Sequence, residues 1–282
     1  MAAVPLNELT LKAASVADDL GFVALADVAS AFEGTKALVI GGHMVQLHVY
    51  RWGLGAELYR QTRDADLGMS RLAAKDPGVT DRLKDLGYQR TAGNVFERDI
   101  DGIPVVAPEG GPHRAIVEVL VPAYTSRARQ NLRLGDHLTT TEVPGLAEAL
   151  KRPAVICRLR LIRLNQQVLE TTVSIPDEVS ALVLKVLVRG QRLEDNDAVD
   201  IWRCTEVLVS AGLDLARLSG KTGDLVRRSL QSSVADRNGQ FISSIVRSRG
   251  LSAAAGDALH TRMRAMVARL TSAERAAPTE EI

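Results

Sequence analysis

The sequence predicts an α+β protein in two parts: a mixed β-sheet with flanking helices over residues 1–172, then an all-helical domain over residues 173–282. Three observations predict it. Short apolar runs such as Ala37-Leu38-Val39-Ile40 and Ala115-Ile116-Val117-Glu118-Val119-Leu120-Val121 have the length and branched composition of strands. Helical patterns stand between such runs, and from Pro176 onward the chain reads as helix alone. A length of 282 residues also suits two domains and a sizeable core.

Taken in order, residues 6–32 read as two helices, with Leu6, Leu9, Ala13, Val16 and Leu20 at helical spacing and Gly21 as the break. A strand at 37–40, the Gly41-Gly42 break, a helix at 43–52 and a strand at 63–68 follow. In that helix Val45, His48 and Val49 share a face, which makes His48 a core histidine rather than a ligand. Asp76-Pro77 opens a helix that Gly87 stops. Extended segments are expected at 88–91, 94–100 and 103–107, then a turn at Pro108-Glu109-Gly110-Gly111-Pro112, then the strand at 115–121. Residues 122–145 read as a polar, irregular connection, 144–150 as a short helix, and 153–168 as a strand at the far side of the sheet. Beyond the domain junction, helices are expected at 177–189, 197–210, 222–233, 240–249 and 253–270, with a frayed tail at 274–282.

Composition narrows the classes. Aromatic residues make up only 4% of the chain, so Leu, Val, Ile and Ala must fill the core. A net charge of +1 selects no partner, but from Lys221 to Arg275 ten Lys and Arg stand against four Asp and Glu, a basic region able to meet an anionic polymer. Cys157 and Cys204 form neither a disulfide framework nor a metal spacing. The N-terminus lacks the charged and apolar regions of a signal peptide, and no run approaches the ~18 apolar residues of a membrane span, so a cytoplasmic protein without a membrane partner is expected.

The chemistry concentrates between Gly41 and Asp66. Strand alternation puts Asp64 and Asp66 on one face, where two carboxylates repel unless a cation lies between them, and a hard divalent ion suits oxygen ligands. Paired glycines at a helix entrance let backbone N–H groups approach a phosphate closely. Glu118, a lone acid in an apolar strand, is costly there unless it is paired or bound to a cation.

Gly41-Gly42, followed by Thr62-Arg63-Asp64-Ala65-Asp66 and by Glu118 on a later strand, resembles the nucleotidyltransferase superfamily. Its pattern is hG[GS], then [DE]h[DE], then a third acid. The spacing is similar to the AbiEii-like toxin branch that includes the MenT toxins of toxin–antitoxin systems. In that branch a Lys on one helix precedes an acidic segment entering the next, which Lys185 and Asp195-Asn196-Asp197-Ala198-Val199-Asp200 match. The usual Ser after the glycines is His43 here, and the basic residue before the first acid is Asn196.

The resemblance implies a nucleotidyltransferase fold and a two-metal Mg²⁺ enzyme moving NMP from an NTP to RNA, above all to the 3′ end of tRNA, which would stop translation. It implies Asp64, Asp66 and Glu118 as metal ligands and catalytic residues, with Lys185 and Asp200 also catalytic. Gly41, Gly42, His43, Thr62 and Lys185 would bind the nucleotide, and a cognate antitoxin would be a partner. Two other readings stand beside it: modification of a protein or small molecule on the same fold, and a non-catalytic interaction module.

Overall fold

Leu9 and Leu11 are buried while Glu8, Thr10 and Lys12 are exposed, a period of two that makes β1 (Glu8–Lys12) a strand. The first of the two helices expected over 6–32 is therefore absent, because the helical spacing of Leu6, Leu9 and Ala13 coincides with this shorter alternation. The computed structural model describes residues 5–105, 111–125, 127–191, 194–216 and 218–272. The second helix is α1 (Val16–Ala31), capped by Ser15, whose hydroxyl accepts the Asp18 N–H at 3.1 Å. Gly21 lies inside it rather than ending it, and its missing side chain serves a close approach: a methyl group there would sit 2.8 Å from His43 Nε2 and would collide with the Thr62 carbonyl.

There follow β2 (Leu38–Ile40), α2 (Gly41–Arg51), a 3₁₀ turn at Ala56–Leu58, β3 (Asp64–Gly68), α3 (Arg71–Ala74) and α4 (Gly78–Asp85). Next come β4 (Gln89–Ala92), β5 (Val95–Ile100), β6 (His113–Pro122), β7 (Leu132–Leu134), β8 (Leu138–Val143), α5 (Leu146–Ala149), β9 (Val155–Ile162) and β10 (Val168–Ile175). The connection expected to be irregular at 122–145 thus carries two strands. Its polar Thr140 and Glu142 are buried with partners: the Thr140 hydroxyl donates to the Val119 carbonyl, and Glu142 binds Arg71 and Arg129. The turn at Pro108-Glu109-Gly110 and the tail at 274–282 lie outside the described residues.

The strands form two sheets. The larger is mixed, with the order β2-β3-β6-β5-β4; β8 joins β6 at Leu120–Pro122, beyond the end of β5, and β7 joins β8. The smaller has the order β1-β9-β10, so the basic–apolar strand expected at the far side of one sheet belongs to another. Arg158 and Arg160 face out and meet Glu8 and Glu170, while Cys157, Leu159 and Leu161 face in. One face of the large sheet is core: Ala65, Phe96, Ala115, Val117 and Val119 are each 0% exposed. Alternation turns Asp64, Asp66 and Glu118 to the other face.

Four more helices follow α6 (Glu178–Arg189) among the described residues: α7 (Asp195–Ser210), α8 (Gly220–Ser233), α9 (Gln240–Arg249) and α10 (Ala253–Thr271). Asp177 caps α6 by accepting the Ser180 N–H at 2.7 Å. The compact units are Val4–Leu184 and Lys185–Ile282. Residues 168–175, across which the sequence placed the domain junction, are β10. The α+β class with a helical C-terminal part holds. No described helix is long and apolar enough to cross a membrane.

Candidate active site

The carboxylates of the first unit are set by register. Asp66 of β3 lies beside Glu118 of the parallel strand β6 and beside Ile40 of β2, and Asp64 lies beside Ile116. Neighbours in register project to the same side, so Asp64, Asp66 and Glu118 share one face, each half-buried. Asn94 donates from Nδ2 to Glu118 Oε2 at 3.2 Å.

Helix α2 begins at this face. Ile40 is its N-cap and Gly41 has φ +67°, the left-handed region that favours glycine. A methyl group on Gly41 would lie 2.6 Å from Asp66 Cγ, so the missing side chain leaves room for the carboxylate beside the helix N-terminus. A methyl on Gly42 would collide with Thr62 Oγ1 and stand 3.0 Å from Arg60 Nη2. Gly41, Gly42, Thr62 and Asp66 are thus gathered around the first turn of α2, whose first N–H groups have no partner within the helix and carry partial positive charge.

His43 does not join them. It is 4% exposed, its ring lies against Gly21 of α1, and its Nε2 has no hydrogen-bond partner. Burial, assisted by the positive charge of Arg60, lowers its pKa to about 3, so the imidazole is neutral. The ring expected to bind the nucleotide is thus turned into the core, away from the first turn of α2.

His48 is a satisfied core histidine, as its helical face suggested. Its Nε2 donates to the Pro176 carbonyl at 2.8 Å and its Nδ1 accepts from Arg51 at 3.3 Å, which fixes the neutral tautomer. Burial lowers its pKa to about 4 despite the nearby Glu178 carboxylate. Arg51 and Trp52 both donate to Glu178 Oε1, at 2.7 and 3.0 Å, tying α2 to the start of α6.

Lys185 and Asp200 belong to the second unit, where they meet at 2.8 Å. Arg203 binds the other oxygen of Asp200 at 2.9 Å. Lys185 is 8% exposed, Asp200 is 1% and Arg203 is 0%. This is a buried triad of two cations on one carboxylate, and releasing Lys185 to a phosphate would break its 2.8 Å pair with Asp200. The basic region is also less available than its count implied. Arg227, Arg237, Arg247 and Arg262 are bound to Asp224, Asp257, Asp195 and Glu206.

Three carboxylates on one face are a donor set suited to Mg²⁺, and Gly41 keeps the space beside Asp66 clear of a side chain. They lie side by side: among the described residues, no group of three or more His, Cys, Asp and Glu is disposed to hold a metal ion as it stands. The residues fit a hard divalent cation by donor chemistry and by shared face. A groove of about 500 Å³ between the end of α1, β2 and β10 contains none of these residues, so concavity and candidate chemistry do not coincide there. Asn94 and Arg60 were missed from sequence. Asn94 opened the extended segment expected over 94–100, a reading that does not say where its amide reaches.

No family model and no curated protein matches the chain. Among solved structures it is similar to an antigenic nucleotidyltransferase-like protein from Paracoccidioides brasiliensis, at 16% identity and a TM-score of 0.43, over 79% of this chain and 92% of that one. At that TM-score the likeness decides neither family nor activity.

Proposed function

We propose that the protein is a nucleotidyltransferase that moves NMP from an NTP to a hydroxyl acceptor. The observation that carries this reading is the shared face of Asp64, Asp66 and Glu118 at the glycine-lined N-terminus of α2. An acceptor oxygen bonds to the α-phosphorus, the α–β phosphoanhydride bond breaks, and pyrophosphate leaves. Asp64 and Asp66, with Glu118, would hold Mg²⁺, which when bound offsets the triphosphate's negative charge. Gly41 and Gly42 let phosphate oxygens approach the N–H groups of α2, and the Thr62 hydroxyl adds a donor beside them. Glu118 orients and activates the acceptor hydroxyl.

The finer part of the proposal rests on the sequence resemblance: a toxin whose acceptor is the 3′ end of tRNA, neutralised by an antitoxin, with Lys185 and Asp200 among its catalytic residues. The test is transfer of label from each α-³²P NTP to total tRNA with Mg²⁺, beside Asp64→Ala. Label on tRNA that the variant loses supports the reading. Label on protein moves the acceptor to the protein class. No transfer by a folded wild type overturns the enzyme.

A further inference from the structure

We infer that Asn94 is a positioning residue for Glu118, its side-chain amide holding the carboxylate on the face it shares with Asp64 and Asp66. The inference rests on the nucleotidyl-transfer reading and names a residue which that reading does not contain. Asn94 lies in the turn between β4 and β5 and is 9% exposed, a buried position for a polar side chain at a hairpin tip. Turn asparagines commonly spend their side chain on their own backbone. This one donates instead from Nδ2 to Glu118 Oε2 at 3.2 Å, on a different strand.

Its backbone is held by that strand as well, because the Asn94 carbonyl accepts the Val119 N–H at 3.0 Å. Val95, the next residue, lies in register with Glu118. The turn is seated from behind: a methyl on Gly93 would lie 3.2 Å from the Thr139 carbonyl, so the backbone packs against β8 without a side chain between. Asn94 is thus fixed by main-chain contacts on both sides, and its amide is presented to one carboxylate oxygen.

The residue type matters. An arginine or lysine at this place would neutralise Glu118 and repel a divalent cation, whereas an aspartate would repel the carboxylate. A neutral amide donor orients Glu118 without adding a charge of its own beside it, as the partners of metal-ligating carboxylates do in general.

The test is Mn²⁺ binding to the full chain, read by the loss of free-ion electron paramagnetic resonance signal and by calorimetry, with no NTP present. Asn94→Ala should weaken Mn²⁺ binding by roughly tenfold. Asn94→Ser, polar but too short to reach Glu118, gives the same loss if the alanine variant does not fold. Gly93→Ala disturbs the same turn without removing the amide, and should lower the melting temperature while keeping the Mn²⁺ affinity. Wild-type binding with unchanged affinity in Asn94→Ala or Asn94→Ser overturns the inference and leaves the nucleotidyl-transfer reading standing. Equal weakening by Gly93→Ala also overturns it, because a merely structural turn would do the same. A wild type that binds no Mn²⁺ overturns the reading itself, and the inference with it.

Discussion

Replacing Gly41 by alanine tests whether the entrance of α2 is shaped around Asp66. Two costs add. Gly41 has φ +67°, where an L-residue costs about 1–2 kcal/mol, partly offset by the stiffer unfolded chain. The new methyl would also lie 2.6 Å from Asp66 Cγ and 3.0 Å from its Cβ, so the half-buried carboxylate must rotate away from the contacts it makes. Losing one hydrogen bond to a charged group costs about 1.5–3 kcal/mol, which brings the total to roughly 3 kcal/mol. Gly53→Ala is the internal control: φ there is +59° and nothing lies within 4 Å of the added methyl, so it reports the backbone cost alone, about 1 kcal/mol. The assay is urea unfolding of both variants and of Asp66→Ala alone and with Gly41→Ala. Because the methyl strains against the carboxylate, the double variant should be more stable than the sum of the single losses predicts. A Gly41→Ala loss no larger than that of Gly53→Ala, or strict additivity in the cycle, would refute the reasoning.

Three further outcomes follow from the buried ionisable groups. Asp200→Ala leaves Lys185 and Arg203 buried without their shared carboxylate and should lower stability by about 3–5 kcal/mol in denaturant titration, whereas Lys185→Met, which leaves Asp200 with Arg203, should cost clearly less. The folded-state pKa values of His43 and His48, about 3 and about 4, lie below the ordinary 6.5; between about 4 and 6.5 the unfolded chain binds protons that the folded chain refuses, so stability falls as pH drops through that window. Urea midpoints at pH 7, 6 and 5 should show that fall, and His43→Leu should flatten it. Burial pushes the Cys157 thiol up to about 11 and the Cys204 thiol up to about 12, so neither should react with a thiol reagent at pH 8 until denaturant is added; rapid native labelling would contradict the packing.

Much of the fold was legible because the signals were local. The run at Ala115–Val121 and the glycine break at Gly41 fell where β6 and α2 begin to form, and α9 lies at the bounds its spacing gave. What the sequence hid was long-range. Residues 8–12 carry only two inward leucines, and they become a strand because β9, some 150 positions later, supplies a parallel partner at Glu8↔Arg158. The polar run at 138–143 looked like a loop because Thr140 and Glu142 find their partners on other elements. At the site, residue types and faces were legible, whereas the directions of individual side chains were not. Asn94 reaches Glu118 across a hairpin, and Lys185 turns to a buried acid rather than to solvent.

His43 shows how the departure from the resembled pattern is accommodated. The pattern has a serine after the glycines, and a hydroxyl there would stand at the start of the helix. In this chain the side chain at 43 points instead into the core, and α1 receives it because Gly21 has no side chain: a methyl there would press on both the imidazole and the Thr62 carbonyl. The same segment brings Thr62 Oγ1 against Gly42, on the first turn of α2. A hydroxyl therefore stands at the helix N-terminus after all, delivered by the strand-entry segment that leads into Asp64 and Asp66 rather than by the helix itself. Gly21, Gly42 and His43 thus act together: the first admits the ring, the ring leaves the helix entrance, and the second admits the threonine. On this account His43 subtracts no hydroxyl donor from the proposed phosphate site, and its presence is no argument that the chain has lost the chemistry its carboxylates suggest.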